Sequence, residues 1–218
     1  MGCDIHNHIE YKKNIYIGDN SEGKPVYEER WICGDYFRVN PYYTKEENDG
    51  ERPFELVGFC DNRNYGLFSL LADVRNYSNN KPISKPKGLP NDLSNEVKEY
   101  AEYWGRDAYS HSYFTLKQLL DYQKKQFKLK RSGFVSPESA EMLDKYGKEP
   151  EEWCQSTNAT DWTYREWEVV NDSFNHLIEE IKRRADELFV IYSFEWERDF
   201  DEAYKKSDKI RLVFWFDN

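Results

Sequence analysis

Residues 3–17 read CDIHNHIEYKKNIYI. From residue 3 to residue 11 the side chains alternate: Asp4, His6, His8 and Glu10 fall on one side of an extended chain, and Cys3, Ile5, Ile9 and Tyr11 on the other. A period of two marks a β-strand with one apolar face. The turn-forming DNSEGKP (19–25) and the β-prone VYEERWIC (26–33) then predict a hairpin partner. The other end of the chain, KIRLVFWFDN (209–218), is rich in β-branched and aromatic residues and predicts a second long strand.

Helical spacing fills the space between. Leu67, Leu70, Leu71 and Val74 fall at i, i+3, i+4 and i+7, with Asn62 or Asn64 as N-cap. A second helix is expected at Asn95–Trp104, ended by Gly105, and Thr115 with Gln118 forms a capping box for a third. Residues 106–113 read as a connector, and residues 132–162 as a peripheral insertion of short irregular helices. From Trp162 to Leu188 the pattern is helical, with Phe174, Leu177, Ile178, Ile181, Ala185 and Leu188 on one face. The sum is one α+β domain: a small mixed or antiparallel sheet holding both terminal strands, with helices packed against it.

The chain has 218 residues, enough for a real core, and an aromatic content of 17%. Tyr and Trp rings therefore supply much of the core volume and can also line a pocket. The net charge of −10 argues against a broad duplex-DNA footprint. The basic residues at Lys81, Lys85 and Lys87, and at Lys124, Lys125, Lys128, Lys130 and Arg131, read as solvated faces. Cys3, Cys33, Cys60 and Cys154 contain no C-x-x-C pair, and no signal peptide or membrane-length apolar run is present. A cytoplasmic protein with reduced thiols and no membrane partner is expected. MGC at the start is not a myristoylation signal, because His6 stands where Ser or Thr is required.

Several residues could carry chemistry. On a strand, side chains at i and i+2 lie about 6.5–7 Å apart, so His6 and His8 can converge on a divalent metal ion. Asp4 and Glu10 are about 20 Å apart by the same rise and cannot serve one ion. His111, flanked by serines and four residues after Asp107, is placed for acid/base work, whereas His176 reads as structural. Arg63 beside a helix start can hold a phosphate or carboxylate, Tyr65 can stack on a base, and Arg75 lies farther along the same helix. Asp217 and Asn218 lie at the end of a strand, where sites often collect. No G-x-S-x-G, P-loop or G-x-G-x-x-G is present, which argues against serine hydrolase, NTPase and dinucleotide-enzyme readings.

Five segments together, MGCDIH (1–6), RNYGLFSLLADVRN (63–76), GLPNDLS (88–94), DAYSHSYFTL (107–116) and RLVFWFDN (211–218), resemble a group of bacteriophage- and prophage-encoded proteins of unassigned activity. The resemblance implies a phage or prophage setting, in the cytoplasm of a bacterial host. It also implies one polar cleft assembled from Asp4, His6, Arg63, Asn64, Tyr65, Arg75, Asp107, His111, Ser112, Asp217 and Asn218. His8 and Glu10 fit the motifs less firmly and are expected to drift outward to solvent.

Two functions follow as expectations. The first is an enzyme hydrolysing a small phosphorylated or nucleotide-like substrate. In it Asp4, His6 and Asp217 hold a divalent metal ion and Asp107 and His111 act as acid and base. Arg63, Asn64, Tyr65, Arg75, Ser112 and Asn218 bind the substrate. The second is a non-catalytic protein that sequesters a nucleotide signal or binds a host defence protein.

Overall fold

The computed structural model describes residues 2–43, 53–58, 63–125, 128–192 and 205–217, with backbone alone for 188–192. Cys60, Asn62 and Asn218 lie outside the described residues. The fold is α+β, with antiparallel sheets and both terminal strands in one of them. Within it the chain packs as two compact units, one of residues 1–63, 86–121 and 177–218, the other of 64–85 and 122–176.

The first unit is built on a four-stranded sheet. Its strands are β1 (Asp4–Asp19), β2 (Pro25–Cys33), β5 (Tyr109–Thr115) and β9 (Ile210–Asp217), in the order β2-β1-β9-β5. The register of β1 on β9 pairs Asp4 with Asp217, His6 with Trp215, His8 with Val213 and Glu10 with Arg211. The polar series of β1 and these four β9 residues therefore share one face. Helix α2 (Asn95–Trp104) covers it, packing Val97 and Ala101 on Val213 and Trp215. The opposite face is buried and mostly apolar, carrying Ile5, Ile9, Leu212, Phe214 and Phe216, with Asn7 and Ser112 beside Phe214 as its buried polar members. A separate ribbon pairs β3 (Tyr36–Val39) with β4 (Phe54–Val57).

The expected burial of β1 is corrected at two positions. His8 and Glu10 do not drift to solvent; they are 1% and 0% exposed, while Asp4 and His6 lie nearer the surface. Their burial is tolerated because each meets a hydrogen-bonding partner from a distant segment, as buried polar groups require.

The capping box is present: Thr115 N donates to Gln118 Oε1 at 3.0 Å and Gln118 N to Thr115 Oγ1 at 3.2 Å, opening α3 (Leu116–Gln123). The connector expected at 106–113 instead runs into β5, whose pairing with β9 supplies the backbone hydrogen bonds that loop residues would otherwise owe to water.

The second unit contains α1 (Tyr65–Ala72), α4 (Pro137–Tyr146) and a sheet of β6 (Lys128–Val135), β7 (Trp153–Cys154) and β8 (Thr163–Val170), ordered β7-β6-β8. Residues 132–162 hold one of the short helices expected there, α4, and also the end of β6 and the two-residue β7, which the sequence reading did not expect. The helix expected from Trp162 also starts later. Trp167 and Val169 are buried and alternate with exposed Glu166, Glu168 and Val170, a strand period. The last helix, α5 (Asp172–Tyr192), follows Asn171, whose Oδ1 accepts from Phe174 N at 3.3 Å. Phe174, Leu177, Ile178, Ile181 and Ala185 are buried as their spacing predicts, and His176 is exposed. Among the described residues no helix is long and apolar enough to cross a membrane.

Candidate functional site

The α2-covered face of the first sheet gathers three of the four histidines around one indole. Trp215 lies at ring-centroid distances of 5.8 Å from His6, 4.9 Å from His8 and 5.9 Å from His111. Strand order explains the arrangement. His6 and His8 come from β1 and His111 from β5, and these strands flank β9 on either side. Two strand spacings separate β1 from β5, so His6 and His111 stand about 10 Å apart across Trp215. Helix α2 closes the His6 side, with Trp104 at 4.1 Å from the His6 ring and Tyr100 at 5.2 Å from the His8 ring.

Asp4, His6, His8 and Glu10 are each matched by an opposite or hydrogen-bonding group. Arg63 grips Asp4 with two bonds, Nε to Oδ1 at 2.5 Å and Nη2 to Oδ2 at 2.8 Å. His6 Nε2 meets Asp217 Oδ2 at 3.2 Å. His8 Nδ1 meets Asp35 Oδ2 at 2.6 Å, and Asp35 Oδ1 accepts from Ile9 N at 3.2 Å. Glu10 accepts from Arg211 Nε at 2.6 Å and from Ser94 N at 2.7 Å.

The two His–Asp pairs are the chemically informative ones. A carboxylate that accepts a hydrogen bond from one imidazole N–H fixes the tautomer of the neutral ring and leaves a lone pair on the other nitrogen. For His8 that other nitrogen, Nε2, is buried and has no hydrogen-bond partner among the described residues, and neither has the buried Trp215 Nε1. His6 is more open, with 16% of its side chain exposed.

His111 owes its position to a fault in the sheet. The β5–β9 register slips between Tyr109 and Ser112, and Ser110 within the slip has φ of 53°. A left-handed serine beside a bulge stores strain, and such bulges re-aim side chains. Gly88, itself at φ of 81°, donates its N–H to His111 O at 2.8 Å and steadies the segment. Ser112 is fully buried, its Oγ accepting from Lys87 N at 3.4 Å.

Burial lowers the pKa of His6 below its ordinary value near 6.5, outweighing the opposing pull of Asp217, and lowers that of His111 in the same way. Both rings are therefore neutral at pH 7. The folded state favours their unprotonated form, so this contribution to stability is present above about pH 6.5 and is lost as the pH falls through the lowered values. Thermal melts should show Tm falling as the pH is taken from 7 toward 5. The decline should be shallower in a His6→Gln, His111→Gln double variant; an unchanged slope would remove these rings as its cause.

The remaining candidates have partners of their own. Asp107 is exposed in the turn after α2, and no hydrogen bond joins it to His111; Asp217 and Asp35 are the carboxylates that meet imidazoles. Asn64, Tyr65 and Arg75 belong to the second unit. There Asn64 Oδ1 caps α1 through Leu67 N at 3.0 Å, and its Nδ2 donates to Ser173 Oγ at 2.6 Å. Tyr65 packs on Phe68 and Tyr77, and Arg75 donates to Tyr77 Oη at 3.4 Å.

Among the described residues no three His, Cys, Asp or Glu side chains are placed to hold one ion. Sequence reading missed Asp35, Trp215, Tyr100 and Trp104; the run FWFD, placing Trp215 two residues before Asp217, was the one local signal. Comparison with protein-family models, curated proteins and solved structures finds no match to the chain.

Proposed function

We propose that the protein hydrolyses a small phosphorylated, nucleotide-like substrate with His6 and His111 as its acid/base pair. The observation that carries this reading is their placement: two imidazoles held neutral by burial on either side of Trp215, one oriented by Asp217 and the other set on a strained bulge. With Nε2–H donated to Asp217, His6 takes the proton of an attacking water through Nδ1. A bound phosphate raises the pKa of His111 by its negative charge, loading the proton that His111 then gives to the leaving oxygen. Arg63, anchored by Asp4, stands near the His6 end of the cluster, where it can donate N–H groups to the substrate anion.

The test is a screen of nucleoside phosphates and aryl phosphodiesters, followed by His6→Ala and His111→Ala. Each variant is expected to lose kcat by about 10²–10⁴-fold with binding retained. Undiminished turnover in both variants would sink the assignment.

Trp104 and Tyr103 favour a second reading. Tyr103 is 52% exposed and Trp104 lies against His6, a stacking surface that suits a base without chemistry. In that case a nucleotide signal would be held and not cleaved. Stoichiometric binding with the nucleotide recovered intact would select this reading over the first.

A further inference from the structure

Arg184 presents a different unfinished interaction. It lies on α5, is 5% exposed, and its Nε and Nη1 are buried with no hydrogen-bond partner among the described residues. Its guanidinium stacks on the ring of Tyr36, 3.7 Å from the centroid. Stacking compensates part of a buried cation's lost hydration, but it satisfies no N–H group. Arginine is rarely buried without a carboxylate or phosphate on its fork.

Two acids one turn away could have filled this role, and Arg183 occupies both. Glu187 Oε1 accepts from Arg183 Nη1 at 2.5 Å, while its Oε2 accepts from Tyr36 Oη at 2.8 Å. Glu180 Oε2 accepts from Arg183 Nε at 3.2 Å and Nη2 at 2.7 Å. The exposed arginine of the pair is therefore neutralised and the buried one is not. That is the reverse of what stability alone would select, since an uncompensated charge costs more inside than at the surface.

We propose that Arg184 and Tyr36 form a binding site for a small oxyanion, a phosphate or carboxylate group, that supplies the missing acceptors. The Tyr36 ring holds the guanidinium plane, so the fork is preorganised and little side-chain entropy is lost on binding. The compactness of the ligand follows from the chain's net charge of −10 and from Glu180 and Glu187 nearby, which repel a large polyanion. None of these residues belongs to the Trp215 cluster, so the site stands whether or not the hydrolytic reading does.

The test is thermal denaturation of the whole protein at fixed pH and ionic strength, exchanging sodium chloride for sodium phosphate or sodium acetate, with phosphate affinity measured by calorimetry. A ligand that binds only the folded state raises Tm by mass action. Phosphate or acetate is expected to raise Tm in the native sequence, and whichever acts more strongly identifies the anion class. In Arg184→Met, which keeps an apolar stem, the affinity should fall about tenfold or more. Arg184→Lys keeps the charge but loses the fork and should also weaken binding, which provides a check if the methionine variant fails to fold. No Tm rise with either anion, or an equal rise in the native protein and Arg184→Lys, would overturn the proposal.

Discussion

Replacing Arg211 by methionine is expected to destabilise the protein by about 3–5 kcal/mol, the cost of breaking a buried ion pair from one side. Arg211 is 3% exposed and serves four groups at once. Nε donates to Glu10 Oε2 at 2.6 Å, Nη1 to Asp92 Oδ1 at 2.7 Å and Nη2 to Asp92 O at 2.9 Å, and the guanidinium lies 4.0 Å from the Trp31 ring centroid. Trp31 Nε1 completes the circle on Asp92 Oδ2 at 3.0 Å. Removing the cation leaves Glu10, 0% exposed, with one backbone donor from Ser94. A Glu10→Leu, Arg211→Met double variant removes both charges and should recover much of the loss, since apolar residues of similar volume often replace a buried pair without cost. Urea unfolding of the single and double variants measures the coupling. Equal losses that simply add would mean the pair does not act as a unit.

Trp215→Ala should cost a comparable amount, about 3–5 kcal/mol, and for a different reason. The ring is 0% exposed and touches His6, His8, His111 and Tyr100, so its deletion opens a cavity that four rings on three elements cannot collapse to fill. Trp215→Phe separates volume from position, since a smaller ring keeps part of the contact. It should retain most of the stability. Where the acid/base proposal holds, Trp215→Phe should lower activity by misplacing His6 and His111, even in protein that is fully folded by circular dichroism. Full activity in Trp215→Phe would show that the indole does not set the imidazole geometry.

The parts of the fold that were readable from sequence are those set by local chemistry. The alternation in residues 3–11, the β-rich terminal strand, the helix closed by Gly105 and the Thr115–Gln118 box each depend on residues within one element. The corrections in β1 involve distant partners. His8 and Glu10 look like a wet face because nothing nearby in sequence could neutralise them. Asp35 and Arg211, 25 residues or more away in the chain, change the sign of that conclusion. In residues 163–170 the alternation of Trp167 and Val169 with glutamates was legible but too short to compete with the longer helical period that follows. Ser110 gave no sign of its left-handed backbone, since serine carries no sequence signature for φ above zero. Of the site, Asp4, Arg63, His6, Asp217 and His111 could be named in advance. The tryptophan that joins three histidines could not, because a buried indole reads first as core.

The pairing of β1 with β9 also bears on how the molecule is made. Asp4 and Asp217 are 213 residues apart in the chain yet lie opposite each other in the sheet. During synthesis β1 leaves the ribosome long before β9 exists, with two histidines and two acids awaiting partners. Contacts of such separation close late and slow folding. The cluster at Trp215 therefore assembles only once nearly all of these residues have emerged, and a ribosome stalled before β9 would display a chain whose His6 has been made and whose Asp217 has not.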